Sequence, residues 1–259
     1  MIAAAYDYEA PRTLEDAQKL AAQDGAVLLA GGQSLLTELK RGALRPSLVV
    51  DLRGIESLRT SGDGGWGAMV TLDELAAGAP SALTDAIESI RDPQVRNRAT
   101  LGGSVALVHQ GADLPAVALA LGAELERPGS GQIVTAVRIP VAGPNSGSAY
   151  EKLPNPGSGY AICGVAAAVT VSADGKVGAA AIALAGAGPK AVSLAATAKA
   201  LTGRHATDEE VAAVAASAAD GLEFPSDLAA PADYRAHLTR VLTARALRRA
   251  IRRATEGAK

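Results

Sequence analysis

Apolar and polar positions recur with two different periods along this chain, and the change of period divides it. Leu14, Ala17, Leu20 and Ala21 fall on one helical face behind Thr13, which can cap the first turn, while Glu15 and Asp16 suit a helix N-terminus. This predicts a helix from Thr13 to Gln23, ended by Gly25. Ala26–Ala30 is a short continuous apolar run, the pattern of a buried strand, broken by Gly31-Gly32. Ser34 can cap a helix over Leu35–Arg41 that Gly42 ends, and Leu48–Asp51 reads as the next strand.

From Trp66 to Gly122 helix and strand keep alternating. A strand is expected over Gly67–Thr71, a helix in the following TLDELAA, a helix over Ser81–Ser89 and a break at Pro93. Thr100–Ser104 is a turn into a short helix, and Pro115–Leu121 is an apolar helix with Pro in its first turn, where the missing N–H is harmless. Gly129–Gly131 and Pro140–Ser148 are turn-rich, and the second predicts a domain boundary. Beyond it the period shortens. Tyr150–Leu153, Ala161–Ser172 and Lys176–Ala185 read as strands, with Asp174-Gly175 as a hairpin turn. Helices over Ser193–Leu201, Asp208–Asp220 and Ala232–Thr255 finish the chain, so strands precede helices and the class is α+β.

Composition narrows the chemistry. The 259 residues are 48% apolar and 20% charged, which supports a packed core. A formal charge of -2 leaves no overall basic footprint for nucleic acid. One cysteine, Cys163, cannot build a disulfide, a cysteine zinc site or an iron–sulfur cluster, and reads as a small buried core residue. His109, His205 and His237 lie too far apart for metal-ligand spacing, so no metal site is named. The longest apolar runs fall short of a membrane span, and Met1–Tyr8 shows no secretory pattern, so a cytoplasmic location is expected. Asp233–Lys259 is strongly basic, with Arg245, Arg248, Arg249, Arg252 and Arg253 partly on one helical face; the alternatives are a solvated face and a partner interface. No acid–base pair or nucleophile constellation stands out, so no catalytic residue is named.

Two segments can carry chemistry: Ala30-Gly31-Gly32-Gln33-Ser34-Leu35 and Thr100-Leu101-Gly102-Gly103-Ser104. Each joins a strand or turn to a helix start, where glycines permit close approach and free N–H groups attract an anion such as a pyrophosphate. With 28 glycines, chance alone gives about three Gly-Gly pairs, and the third, Gly64-Gly65, has no such context. The alternatives are a phosphate cradle and ordinary turn glycines. Neither segment is G-x-G-x-x-G or a P-loop.

The segments AGGQSLLTELKRG, WGAMVTLDELA, RNRATLGGSVA, ADLPAVALALGAEL, SAYEKLPNPGSGYAICGVAAAV and YRAHLTRVLTARALRRA, in that order, resemble the FAD-binding, medium subunit of molybdenum hydroxylases, the carbon monoxide dehydrogenase and xanthine dehydrogenase flavoprotein family. The resemblance implies a two-lobed FAD-binding domain over 1–142, with a small N-terminal βα lobe (about 1–52) and a larger mixed-sheet lobe (about 53–142). A C-terminal domain of antiparallel strands and helices over 148–255 follows. It also implies that Ala30, Gly31, Gly32, Gln33, Ser34 and Leu35 surround the FAD pyrophosphate together with Thr100, Leu101, Gly102, Gly103 and Ser104. By the same carry-over Asp113 meets FAD hydroxyl or ribityl groups. Lys152 is either a neighbour of the isoalloxazine or a surface lysine. His109 either lines the flavin site or is a polar helix-end histidine, and Trp66 is expected to pack at a strand start.

The implied role is electron transfer. A molybdenum cofactor on a large subunit oxidises the substrate, [2Fe–2S] clusters on a small subunit pass the electrons to FAD, and NAD, oxygen or a quinone receives them. A flavin-free structural subunit and a freestanding flavoprotein oxidoreductase are the other readings. One departure bears on them: the stretch that approaches the flavin ring in the family is here compressed to Glu126–Gln132.

Overall fold

The computed structural model describes residues 5–62, 65–76, 81–129 and 131–256. Gly64 of the third glycine pair, Ala77 of the TLDELAA helix and Ser130 of the compressed segment lie outside the described residues. The chain forms two compact units, each assembled from separate stretches. The first takes Met1–Ala77, Arg91–Ala106 and Glu124–Ile139, and the second Gly78–Ile90, Leu107–Ala123 and Pro140–Lys259.

In the first unit, β1 (Asp7–Glu9), β2 (Ala26–Leu29) and β3 (Leu48–Asp51) make a parallel sheet in the order β1-β3-β2. The central strand β3 is buried along its whole length, as its continuous LVVD run requires. Helix α1 (Leu14–Ala21) connects β1 to β2, and the Thr13 hydroxyl accepts the Asp16 N–H as its cap. Helix α2 (Leu35–Arg41) connects β2 to β3 and ends at Gly42 in the left-handed conformation, as the pattern predicts. Ala17, Ala21, Leu48, Val50, Leu52, Ile55, Leu58, Met69 and Ile133 form the core.

A second, antiparallel sheet of this unit has the order β4-β6-β5, from β4 (Gly65–Gly67), β5 (Glu124–Glu126) and β6 (Ala136–Arg138). The strand expected over Gly67–Thr71 therefore ends early. Past Gly67 the backbone turns, and the Met69 N–H donates to the Leu58 carbonyl (2.8 Å). Here Met69 is placed in the core by a turn rather than a strand. Short helices α3 (Leu72–Ala76), α5 (Pro93–Arg96) and α6 (Leu101–Val105) complete the unit. Pro93 begins α5 rather than a break, because the Asp92 side chain caps the Gln94 N–H and Pro fits the first turn.

Two glycines decide how this unit closes. A Cβ on Gly31 would lie 2.0 Å from the Arg98 carbonyl oxygen, and one on Gly102 would lie 2.5 Å from the Ala68 Cβ. Both positions are close approaches that leave no room for a Cβ.

The second unit is an antiparallel sheet of order β10-β9-β8-β7, from β7 (Ser146–Pro154), β8 (Ala161–Val171), β9 (Val177–Ala185) and β10 (Val192–Ser193). The β8–β9 hairpin turns at Asp174-Gly175, with Gly175 at φ +76°. Helices α8 (Ala195–Leu201), α9 (Asp208–Ala216) and α10 (Ala232–Glu256) follow, and their apolar residues share one core with β8 and β9. Gly147 brings β7 against α10 so closely that a Cβ would lie 2.1 Å from the Ala250 carbonyl oxygen. Helices α4 (Ser81–Ser89) and α7 (Asp113–Ala120) belong to this unit too. They meet the even-numbered residues of β7: Ser148 accepts the Ala82 N–H, and Tyr150 reaches Asp113. Asp85 of α4 is buried and accepts from Arg249 Nη2 (2.7 Å), Arg253 Nη1 (2.7 Å) and the Tyr150 N–H (3.0 Å). Among the described residues no helix is long and apolar enough to cross a membrane.

Two stability tests follow. Asp85→Ala removes the shared acceptor of two guanidinium groups and a buried amide and is expected to cost about 3 kcal/mol, read from the urea midpoint of the second unit; an unchanged midpoint contradicts this. Gly31→Ala forces a backbone shift and is expected to cost about 3 kcal/mol. Gly62→Ala, whose Cβ meets nothing within 4 Å, is expected to stay within about 0.5 kcal/mol.

Candidate functional site

The two glycine segments lie side by side in the first unit, but they are not equivalent. After β2 the chain turns through Gly32 at φ +80°, a conformation that favours glycine, and enters α2. The N–H groups of Gly32, Gln33, Ser34 and Leu35 donate to no acceptor among the described residues, and the Ser34 hydroxyl makes no capping bond. This turn presents a row of free donors at a helix start, the arrangement that suits an anion.

The second segment uses its amides internally. Leu101 N–H donates to the Val70 carbonyl (2.9 Å) and Gly102 N–H to the Ala68 carbonyl (2.9 Å). Gly103 N–H donates to the Thr100 hydroxyl (3.3 Å) and Ser104 N–H to the Thr100 carbonyl (2.9 Å). Its glycines are helical residues of α6 rather than a loop. A Cβ on Gly103 would come within 3.4 Å of Ala30, so the two segments adjoin there. The half-buried Ser104 hydroxyl has no hydrogen-bond partner among the described residues.

Beside them opens a cleft of about 280 Å³, lined by Ala30, Gly31 and Thr100 together with Arg53, Arg59, Arg98 and Glu74. Arg53 is fixed by Asp51, with Nη2–Oδ2 at 2.5 Å and Nε–Oδ2 at 2.8 Å, and Tyr8 also donates to Asp51. Burial acts to raise the Asp51 carboxyl, but the hydrogen bonds from Arg53 and Tyr8 outweigh it and hold the group below the usual carboxylate range. Glu74 is engaged by the Thr71 N–H and hydroxyl, both at 2.8 Å, in a capping box, and these bonds lower its pKa. Arg98 makes no side-chain hydrogen bond or ion pair among the described residues. The pattern of the sequence singled out none of these arginines, since isolated charges between short elements carry no periodic signal.

Asp113 and Lys152 belong to the second unit, where they form a buried pair. Lys152 Nζ lies 2.6 Å from Asp113 Oδ2, and the two side chains are 4% and 8% exposed. Lys152 is therefore not a surface lysine. The Tyr150 hydroxyl donates to Asp113 Oδ1 (2.5 Å), and Lys152 Nζ also lies 3.4 Å from Ser89 Oγ. Burial pushes the Asp113 carboxyl up, while Lys152 and Tyr150 oppose that rise without cancelling it. Burial, then the Asp113 charge, also pushes the Tyr150 phenol well above its ordinary value.

The remaining singled-out residues have plain structural roles. Cys163 is buried beside Thr239, and burial pushes its thiol up to about 11. Trp66 lies half-buried in the middle of β4. His109 precedes α7, is stacked on Tyr160 with centroids 4.1 Å apart, and accepts the Gly111 N–H at Nδ1 (3.1 Å). Tyr160 had no sequence signal, because a lone aromatic after a glycine turn reads as a strand lead-in. On α10, Arg249 and Arg253 are drawn onto Asp85 and Arg248 pairs with Asp208 (3.0 Å), whereas Arg245 and Arg252 are exposed. The compressed segment turns back on α1: Gln18 Nε2 donates to the Pro128 carbonyl (3.0 Å), and Gly129 has φ +67°.

Comparison with known proteins identifies the family. Residues 4–142 match the family described as FAD binding domain in molybdopterin dehydrogenase, and residues 148–250 match the CO dehydrogenase flavoprotein C-terminal domain. The carbon monoxide dehydrogenase medium chain of Afipia carboxidovorans is 34% identical over 289 residues, covering 98% of this chain and 99% of the relative. The 6-hydroxypseudooxynicotine dehydrogenase complex subunit alpha of Paenarthrobacter nicotinovorans is 30% identical, covering 96% and 95%. Among solved structures, reconstituted CO dehydrogenase from Oligotropha carboxidovorans superposes with a TM-score of 0.91 at 30% identity, over 98% of this chain and 100% of that one. Quinoline 2-oxidoreductase from Pseudomonas putida 86 gives 0.86 at 28% identity, over 100% of both chains. The chain belongs to the family of FAD-binding medium subunits of molybdenum hydroxylases.

Proposed function

We propose that this chain carries FAD within a molybdenum-hydroxylase complex, receives electrons from [2Fe–2S] clusters on a small partner subunit, and delivers them to an external acceptor. The substrate is oxidised first, on a large molybdopterin subunit, which supplies those electrons. The observation that carries the reading is the row of free amides from Gly32 to Leu35 beside a cleft with an excess of guanidinium groups. That donor set fits a diphosphate, which brings many acceptor oxygens and two negative charges. FAD, when bound, supplies the exchange between single-electron and two-electron transfer.

In this reading the FAD-binding domain is 1–142 and the C-terminal flavoprotein domain 148–255. Ala30–Leu35 hold the diphosphate with their amides and the Ser34 hydroxyl. Thr100–Ser104 act differently. Leu101 and Gly102 fix the turn at Ala68–Val70, Gly103 adjoins Ala30 where a side chain would crowd Thr100, and the Ser104 hydroxyl has no partner among the described residues. Asp113 uses two of roughly four acceptor sites on Tyr150 and Lys152, which leaves capacity for a ribityl hydroxyl. Lys152 supplies a buried positive charge beside it. A cytoplasmic complex suits this role.

Two experiments test the assignment. The complex purified from its native host is expected to be yellow, with one FAD per copy of this chain and flavin absorbance that bleaches when substrate is added anaerobically. A complex without FAD that still assembles would instead identify a structural subunit. Cys163 is expected to stay outside the electron path. Its buried thiol, pushed up to about 11, should resist iodoacetamide at pH 8 in the folded protein and react on unfolding. Rapid alkylation of the folded protein, with loss of flavin reduction, contradicts this.

A further inference from the structure

The cleft beside the first glycine turn has a size and a charge that together select one part of a dinucleotide. Its volume of about 280 Å³ is at the lower limit of pockets that enclose a whole small ligand, which run from about 300 to 1,000 Å³. It suits a fragment of FAD, not the full cofactor. Its lining carries Arg53, Arg59 and Arg98 against a single carboxylate, Glu74. Two of these charges are already committed: Arg53 is held by Asp51, and Glu74 by Thr71. Arg98 has no side-chain partner among the described residues, and the charge recorded near Arg59 is Glu74.

Exposed guanidinium groups in a protein usually find a carboxylate or extend freely into solvent. Here two line the same cleft as Ala30 and Gly31, and the main chain of Arg98 packs directly against Gly31. Arginine presents several donors in a rigid fork and pairs with phosphate oxygens in a bidentate manner.

Resting on the assignment of FAD to this unit, we propose that Arg59 and Arg98 are positioning residues that bind the FAD diphosphate in the cleft beside the Gly32–Leu35 turn. FAD is then anchored mainly through its diphosphate charge, and the flavin ring contributes less to its retention. The compressed Glu126–Gln132 segment, folded back on α1 through Gln18, is consistent with a site whose hold lies at the diphosphate.

The test is ligand binding to the flavin-stripped complex, followed by quenching of flavin fluorescence and by calorimetry. FAD, riboflavin and ADP are compared for the wild type, Arg59→Gln, Arg98→Gln and the double variant. The wild type is expected to bind FAD much more tightly than riboflavin, with an affinity that falls as salt is raised, and ADP is expected to compete with FAD. The double variant is expected to weaken FAD and ADP by about tenfold or more, flatten the salt dependence and leave riboflavin binding unchanged. Arg98→Lys, which keeps the charge but not the fork, is expected to recover part of the loss. Unfolding midpoints check that the variants fold. FAD and ADP binding that is unaltered in the double variant overturns the proposal while leaving the FAD assignment intact. Equal weakening of FAD and riboflavin also overturns it. A wild-type complex that binds no FAD removes the assignment itself, a separate outcome.

Discussion

The first unit depends on a contact that only glycine allows. At Gly31 the turn after β2 lies directly against the carbonyl of Arg98, and at Gly102 the start of α6 lies against Ala68. These approaches bring the two glycine segments together, and they also determine which amides remain available. Because α6 docks by its N-terminal amides onto the carbonyls of Ala68 and Val70, those donors cannot serve a ligand. The Gly32–Leu35 amides of the first segment donate to no acceptor among the described residues. Two motifs that read alike in sequence thus divide into a turn whose amides are spent on the protein and a turn whose amides are not.

The two units also treat charge differently. In the second unit, buried charges are paired inside the protein. Asp85 takes Arg249 and Arg253, Asp113 takes Lys152, and Arg235, itself 2% exposed, is clamped by both oxygens of Asp227. Breaking such a pair leaves an uncompensated charge in a poor dielectric, so these groups are fixed in place. In the first unit the cleft arginines are exposed, and Arg98 has no such partner among the described residues. The balance on one side and the excess on the other separate groups that hold the fold from groups free to hold a ligand. The basic C-terminal helix illustrates the point: two of its five clustered arginines are absorbed by Asp85, which composition alone cannot reveal.

Much of the local structure was legible in the sequence. The Thr13 cap, the AVLL and LVVD strands, the Gly42 stop and the Asp174-Gly175 hairpin follow from propensity and period acting over a few residues. The Met69 turn was not, because a buried apolar triplet looks the same in a strand and in a turn that packs on Leu58. Nor was the gathering of α4 and α7 with the late strands, since those contacts join residues more than thirty positions apart. The glycine motifs were visible and the family resemblance gave them a role. Their inequality was hidden, because it rests on which carbonyls lie opposite each N–H. The arginines of the cleft were hidden for the same reason: each comes from a different connection, and only folding places them in one cleft.

If FAD is held as proposed, a short connection at Glu126–Gln132 changes what the site must do. A cofactor held along its whole length distributes its affinity between stacking on the ring and contacts to the phosphates. Where the protein near the ring is reduced, the phosphate end must retain the molecule, and electrostatic attraction to a doubly charged group is a large term available there. That term is independent of the ring's redox state, because the diphosphate keeps its charge when the flavin is reduced. Anchoring at the diphosphate therefore holds the oxidised and reduced cofactor almost equally. In the proposed role the ring would then exchange electrons without altering its own retention, a property that role needs and a substrate-binding site does not.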